Sequence, residues 1–525
     1  MTHSEAIAQT LAARGVETVF GLPGGEILAF VDACRRSGLR FLLTGHEASA
    51  AWMAQITGQL TGIPGVCAAT LGPGATNLVT GIASALLERA PMIAISAQTP
   101  NREIATATHQ RLDLPRLFQP ISKGVVTAGD GDTAAMTNSA VDLALAPRSG
   151  PVYLALPSDV ATQECGPRMA ESRSSDIRKP SAGVQDIADR IAASKRPLLL
   201  IGLGATPAMA PAIAALIVRL QAPFLVTPKV KGIVSEEHPL FLGVASGMAL
   251  DREIVATLRE ADLVIGIGFD PVESDKTWFA SLDVAALDTV SMVEGSYSPT
   301  EALGELSVLI AELAAIAPAR PWPEELLSQR HEAMRPRFLD APAGLSPLRL
   351  IEELRSVFPR DGIAACDVGS HKLAIGQFWR AYEPGTFLMA NGLSGMGFGL
   401  PAAMAAQLVY PNRPVMAMVG DGGMLMMLHD LVIIRELRLP IVIVVFTDAS
   451  LSLIRLAAER RKFEPVGVDF LPPDFAAAAQ AFGIEGRRAS TIAEARSLAE
   501  QALARRVPYL IEAPVDYHEY REVIG

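Results

Sequence analysis

Val415-Met416-Ala417-Met418-Val419-Gly420-Asp421-Gly422-Gly423, followed by Leu439-Pro440-Ile441-Val442-Ile443-Val444-Val445-Phe446-Thr447-Asp448-Ala449-Ser450, decides the fold. Each stretch is an apolar run that ends near a carboxylate. Val415–Val419 reads as a strand buried on both faces in a parallel sheet. The Gly-Asp-Gly-Gly that follows lets backbone come close to a ligand, and the next helix start offers free N–H groups to a phosphate. Asp421 would repel that phosphate unless a cation lay between them. The second strand, Ile441–Phe446, ends near Asp448, 27 positions after Asp421. Parallel strands of one sheet set their C-terminal ends side by side, where such sheets bind ligands. Two carboxylates could therefore converge on a hard cation such as Mg2+, which takes oxygen ligands. Gly-Asp-Gly alone also fits an ordinary strand-to-helix turn. The second strand-end acid favours the cation.

The rest of the chain alternates in the same way. Residues 4–16 have helical spacing. Val19–Gly25 reads as a short strand and a Gly-rich turn, and Phe41–Thr44 as a strand ending in Gly45-His46-Glu47. A helix over 48–61, a strand over 66–70, a helix opened by Leu71-Gly72-Pro73-Gly74-Ala75-Thr76-Asn77 and a strand over 92–96 follow. Short alternation of strand and helix predicts an α/β fold of doubly wound parallel sheets. Residues 162–184 are polar, Pro/Gly-rich and aperiodic, so a linker is expected there, and a second one over the Pro-rich 317–346. Between them lie strands at 197–201, 224–227 and 263–267. Gly202-Leu203-Gly204 hints at a dinucleotide loop, but position 207 is Pro where the fingerprint needs a third Gly, so a tight structural turn is expected. A third unit opens at 362–366, followed by Asp367-Val368-Gly369-Ser370-His371. The expected domains are 1–165, 185–320 and 345–525. The first and third share an order of signals, including strands opening at Ala90-Pro91 and Leu439-Pro440, a hint of repeated architecture.

Composition narrows the function classes. The chain has 525 residues, half of them hydrophobic, and a net charge of −11. No long basic run occurs, so nucleic acid is not expected as a partner. No apolar run reaches the ~18 residues of a membrane span, and the first residues lack the pattern of a signal peptide. Four scattered cysteines show no metal spacing; reduced thiols and a cytoplasmic location are expected.

The Gly420–Ser450 stretch resembles the diphosphate-binding motif of thiamine-diphosphate (ThDP) enzymes, which begins Gly-Asp-Gly and ends near a metal-binding Asn. Here Asp448 stands in the Asn position, as in the FAD-independent, catabolic acetolactate synthases. The resemblance covers nearly the whole chain and implies three doubly wound domains: pyrimidine-binding, middle and diphosphate-binding. It implies ThDP and Mg2+ as cofactors, the metal held by Asp421, Asp448 and the carbonyl of Ser450. Gly369, Ser370, His371, Gly420, Gly422 and Gly423 would meet the diphosphate side. The family often has Gln where Ser370 stands.

Glu47, in the His-Glu pair after a short strand, matches the family's carboxylate that exchanges a proton with the pyrimidine. As a helix-start residue it also suits the helix dipole. Pro23 and Asn77 join it as expected cofactor contacts. In Asn391-Gly392-Leu393-Ser394-Gly395-Met396-Gly397, the glycines leave Met396 projecting. The resemblance makes Met396 the prop of a bent cofactor and Ser394 its carbonyl acceptor. Because Glu47 and Asp421 fall in different domains, and the family sets the pyrimidine domain of one subunit against the diphosphate domain of another, a homodimer or homotetramer is implied, with active sites at the subunit interface.

Thr108-His109-Gln110 with Leu112-Asp113 resembles the loop where acetolactate synthases place an active-site Gln, making Gln110 a candidate for orienting substrate; a plain surface loop is the other reading. Ile267–Glu273 resembles the FAD-independent type, and Ala457 stands where enzymes choosing between two keto acids carry Trp. No His-His pair occurs, the signature of simple decarboxylases of the family. Carboligation of 2-keto acids is expected, two pyruvates giving 2-acetolactate. A synthase joining a three-carbon unit to arginine (carboxyethylarginine synthase-like), a sulfoacetaldehyde acetyltransferase-like enzyme, a 2-keto acid decarboxylase and a non-catalytic ThDP-fold binding protein stay open as alternatives. Retained charges at Glu47, Asp421 and Asp448 speak against the last.

Overall fold

The computed structural model describes residues 1–129, 131–165, 183–245, 247–273, 276–278, 282–291, 300–338 and 344–524. Three six-stranded sheets, all parallel, carry the chain. The first contains β1 (Thr18–Leu22), β2 (Arg40–Leu43), β3 (Gly65–Ala69), β4 (Met92–Gln98), β5 (Gly124–Thr127) and β6 (Pro151–Pro157), ordered β2-β1-β3-β4-β6-β5. The second contains β7 (Pro197–Ile201), β8 (Phe224–Val226), β9 (Phe241–Val244), β10 (Leu263–Ile267), β11 (Val284–Asp288) and β12 (Thr300–Leu303), ordered β12-β11-β10-β7-β8-β9. The third contains β13 (Ile363–Cys366), β14 (Phe387–Met389), β15 (Val415–Gly420), β16 (Ile441–Thr447), β17 (Glu485–Arg488) and β18 (Tyr509–Pro514), ordered β14-β13-β15-β16-β18-β17. The first and third orders are the same, position for position, as the repeated sequence signals suggested.

Central strands such as β7, β10 and β16 are buried along their whole length. That is why they read as unbroken apolar runs: helices cover both faces of a parallel sheet. Contacts divide the chain into two compact units. One holds residues 1–175, 392–412 and 427–439; the other holds 176–391, 413–426 and 440–525. The second unit contains the second and third sheets. One apolar cluster runs through both, from Ile201 and Ile265 to Val444, Ile511 and Tyr520.

In the first unit the helix Glu47–Thr61 is buried from Glu47 through Ile56. Such all-round burial needs small side chains where neighbours approach. Gly58 shows how close that is: a Cβ there would sit 2.1 Å from the Pro91 carbonyl oxygen. Ala51 faces Gly81 across the same packing, and the Ala-rich helix Gly399–Val409 lies against it too.

Two linker expectations meet different outcomes. Most of 162–184, namely 166–182, lies outside the described residues; Glu164 bridges to Thr2, and a helix starts at Gly183. In 317–346 the structure places a helix, Glu324–Ala333, where the sequence reading had a linker. The prolines bracket this helix and do not enter it. Pro323 caps it, Glu324 and Glu325 open it, and Arg330 and His331 close it, all favourable to the helix dipole. Residues 339–343 lie outside the described set.

Candidate functional site

β15 and β16 pair in register from Val415 with Ile441 to Gly420 with Phe446, so Asp421 and Asp448 emerge together at the C-terminal ends. Asp421 opens the short helix Asp421–Met426 and is 3% exposed. Its Oδ1 accepts the Gly422 N–H at 2.8 Å; its Oδ2 accepts those of Asp448 at 3.1 Å and Ala449 at 2.8 Å. Burial nonetheless raises its pKa. Burial, and then the Asp421 charge, push the Asp448 carboxyl up to about 7. Two acids held this close, away from water, disfavour the doubly ionised state, and a divalent cation reverses that. Ala449, between Asp448 and Ser450, is left-handed at φ +59°, a strained conformation for a residue with a side chain. Among the described residues no three His, Cys, Asp or Glu cluster as a metal site. The side-chain oxygens that meet here are those of two carboxylates. They suit Mg2+, which keeps places for phosphate oxygens and water.

Beside this pair, His371 is buried, and its Nε2 has no hydrogen-bond partner among the described residues. Burial, then the Lys372 charge, push its pKa down to about 3, so it is neutral. A Cβ at Gly420 would sit 2.9 Å from His371 Cε1, and one at Gly369 would sit 2.8 Å from it. Two glycines and an orphaned ring nitrogen form a cradle that fits a polar ligand group. Ser370 accepts a hydrogen bond at 2.9 Å from Ser452, which the sequence reading missed. The signal lay in the hydroxyls at 450 and 452, immediately after Asp448.

The other candidates lie in the first unit. The His46 ring caps the helix that Glu47 begins, its Nδ1 accepting the Ala48 N–H at 3.0 Å. Glu47 is 4% exposed. Its Oε2 accepts from the Asn77 amide at 2.9 Å, and a Cβ at Gly74 would come 3.2 Å from its Oε1. The structure therefore brings Glu47 and Asn77 together, from separate helices. Pro23 follows β1 and is exposed. Gln110 is exposed and left-handed, φ +53°, with its side chain over Gly72. Ser394 is also left-handed, φ +55°. Half-buried Met396 follows, between Gly395, whose Cβ would lie 3.5 Å from Trp52, and Gly397, packed on Met427. Trp52 stands on the helix that begins with Glu47.

Three domain models of thiamine pyrophosphate enzymes match the chain: the N-terminal TPP binding domain over residues 1–117, the central domain over 184–291 and the C-terminal TPP binding domain over 367–513. The acetolactate synthase of Bacillus subtilis (strain 168) is 30% identical over 535 residues, covering 98% of this chain and 93% of the relative. The acetolactate synthase isozyme 2 large subunit of Escherichia coli (strain K12) is 31% identical, covering 98% of this chain and 96% of the relative. The catabolic acetolactate synthase of Raoultella terrigena is 28% identical, covering 99% and 96%. The chain belongs to the thiamine pyrophosphate enzymes and is similar, over nearly its whole length, to acetolactate synthases.

Proposed function

We infer that this chain is a ThDP- and Mg2+-dependent acetolactate synthase, which decarboxylates pyruvate and transfers the two-carbon unit to a second 2-keto acid. The observation that carries this reading is likeness to acetolactate synthases along 98% of the chain. In it, residues 1–165 serve the pyrimidine end, 345–525 the diphosphate end, and 185–320 form the middle domain. When bound, ThDP supplies a nucleophilic carbon and an electron sink.

The chain's own residues do the rest. Asp421, Asp448 and the Ser450 carbonyl would hold Mg2+, whose charge would let the two neighbouring acids stay ionised. Gly369, Gly420, Gly422 and Gly423 keep side chains away from the phosphates, while Ser370 and the His371 Nε2 offer polar contacts. Glu47 would move a proton at a pyrimidine ring nitrogen, and the bond from Asn77 holds its Oε2 in place. Pro23 lines the same end. Met396 and the Ser394 carbonyl would hold the cofactor's middle, and Gln110 would orient substrate. The enzyme works as a homodimer or homotetramer with active sites at the subunit interface. Four free thiols support a cytoplasmic setting.

FAD has no part in this reading. The Leu203 N–H, which a dinucleotide phosphate would need, already donates to the Glu273 carboxylate at 2.8 Å. Gly204 packs directly on Gly268, its would-be Cβ 2.9 Å from the Gly268 Cα. No helix among the described residues is long and apolar enough to cross a membrane.

The test is a screen of 2-keto acids with ThDP and Mg2+, scoring CO2 release and identifying products by mass spectrometry. 2-Acetolactate from pyruvate is expected. Acetaldehyde as sole product would make the chain a decarboxylase, and a product that needs arginine or sulfoacetaldehyde would move it to another branch.

A further inference from the structure

Asp430 is a buried acid that the cofactor reading leaves unused. It is fully buried at the start of the helix Asp430–Glu436. Its Oδ2 accepts from Ser49 Oγ at 2.9 Å. Ser49 lies two residues past Glu47, in the first turn of the same helix. The other oxygen, Oδ1, stands 3.3 Å from His429 Nε2 but without hydrogen-bond alignment. Ser49 Oγ is also 3.3 Å from that Nε2, so the three side chains close a triangle. Ser49 Oγ lies 3.4 Å from Met427 Sδ as well, but the nearer carboxylate is the stronger acceptor for its one proton.

His429 also packs against the turn before the helix. A Cβ at Gly45 would meet its Cδ2 at 2.4 Å, so only glycine fits. Its ring centroid is 6.0 Å from that of His46, the residue that caps the helix. His429 and Asp430, consecutive in the chain, therefore grip Gly45, His46 and Ser49. Glu47 sits inside that grip. A carboxyl buried at a helix contact is unfavourable unless it does something a neutral side chain cannot. All these residues belong to one compact unit.

We propose that Asp430 is a positioning residue for Glu47: through Ser49, and with His429 against Gly45 and His46, it fixes the turn from which the Glu47 carboxylate projects. The proposal rests on the reading of Glu47 as the proton-moving carboxylate. Burial supports it by pushing the Asp430 carboxyl up to about 7 and lowering the His429 pKa, the latter helped by His46. The grip is thus poised to hold or lose a proton near neutrality. The helix Glu47–Thr61 brings Glu47, with His46 at its cap; the helix Gly399–Val409 brings no titratable group, and Asp430's own helix carries Arg435 and Glu436.

The experiment measures kcat, pyruvate KM and ThDP affinity for Glu47→Gln, Ser49→Ala, Asp430→Asn, Asp430→Glu and the Ser49→Ala/Asp430→Asn double variant. Ser49→Ala and Asp430→Asn should each lose about tenfold to a hundredfold in kcat, the scale of a misplaced catalytic group, with ThDP affinity within about threefold. The double variant should be no worse than the worse single one, because both cut one link. Asp430→Glu, which keeps the carboxylate, should recover at least about threefold over Asp430→Asn, a fraction of that same loss. Added to Glu47→Gln, Asp430→Asn should change nothing further. If Glu47→Gln keeps wild-type kcat, the reading of Glu47 falls and takes the proposal with it. If Glu47→Gln is inactive while Ser49→Ala and Asp430→Asn turn over normally, the proposal alone is overturned. Ser49→Ala removes only a hydroxyl, so it decides the matter even where Asp430→Asn fails to fold. Losses that multiply in the double variant would also count against it.

Discussion

The first and third sheets have one strand order and two different distributions of acid. In the third, carboxylates follow two neighbouring central strands, β15 and β16. In the first, the corresponding strands β3 and β4 run on into Thr70-Leu71-Gly72-Pro73-Gly74 and Thr99-Pro100, which carry no acid. Its one candidate acid, Glu47, comes after the edge strand β2 and on a helix, with an Asn77 donor at 2.9 Å. In the reading proposed above, the two neighbouring acids take a cation, and the one buried acid with an amide donor takes a partner that exchanges a proton. In that reading the same scaffold serves an ion site or a proton site according to which strand end holds the carboxylate. Fold alone would not tell them apart.

Replacing the single acid should have the largest effect. Glu47→Gln keeps shape and the Asn77 neighbour but cannot exchange the proton, so kcat should fall about 10³-fold, within the range for a lost general acid–base, while ThDP still binds. Retention of more than about a tenth of wild-type kcat, ~1.4 kcal/mol in barrier, would remove Glu47 from the role. The paired acids should respond differently, through binding and not turnover. Asp448→Ala should weaken Mg2+ and ThDP together, by about tenfold to a hundredfold, whereas Asp448→Asn keeps an oxygen and should stay within about threefold. Titrations in which Asn is as damaging as Ala would mean that the site depends on charge and not on oxygen geometry. Gly420→Ala is milder still. Its Cβ would meet the His371 ring at 2.9 Å, so the ring must tilt, and ThDP affinity should drop about threefold, under 1 kcal/mol. Unchanged affinity would leave the cradle without a role.

How far these regions could be read from sequence differs for a physical reason. β7, β10 and β16 are buried on both faces, so their apolar runs announced them almost to the residue. β14, of three residues, and β17, Glu485–Arg488, with two exposed arginines, offered neither a run nor an alternation, and were missed. Asp421 and Asp448 were legible because glycines and strand ends mark them locally. Asn77 was legible as the end of a helix-opening motif and, through the family resemblance, as a cofactor contact; its bond to Glu47 spans thirty positions of chain and has no local sign. Asp430 was invisible for the same reason. Its partner Ser49 is 381 residues away, and on its own Asp430 reads as a solvated helix-start acid.

The smallest expected effect is one of stability, and it carries the comparison into the first unit's other acid. Burial lifts the Asp430 carboxyl from an ordinary 3.8 to about 7. The folded chain therefore holds this proton more tightly than the unfolded chain does. Below about pH 4 both states are protonated and the group is neutral with respect to stability. Between about pH 4 and pH 7 the unfolded chain ionises first, so rising pH removes stability through this group; above about 7 the loss is complete. Asn does not titrate. Melting temperature in the apo protein, as Asp430→Asn minus wild type, should therefore rise between pH 5 and pH 8, by about 1 °C per kcal/mol for a chain of this size. The sign depends on who pairs with the ion. If His429 took up a proton to face the ionised Asp430, the lowered pKa of His429 would be reversed and the difference would shrink or fall with pH. A flat or falling difference would thus replace a neutral, hydrogen-bonded grip on the Glu47 turn with a buried ion pair.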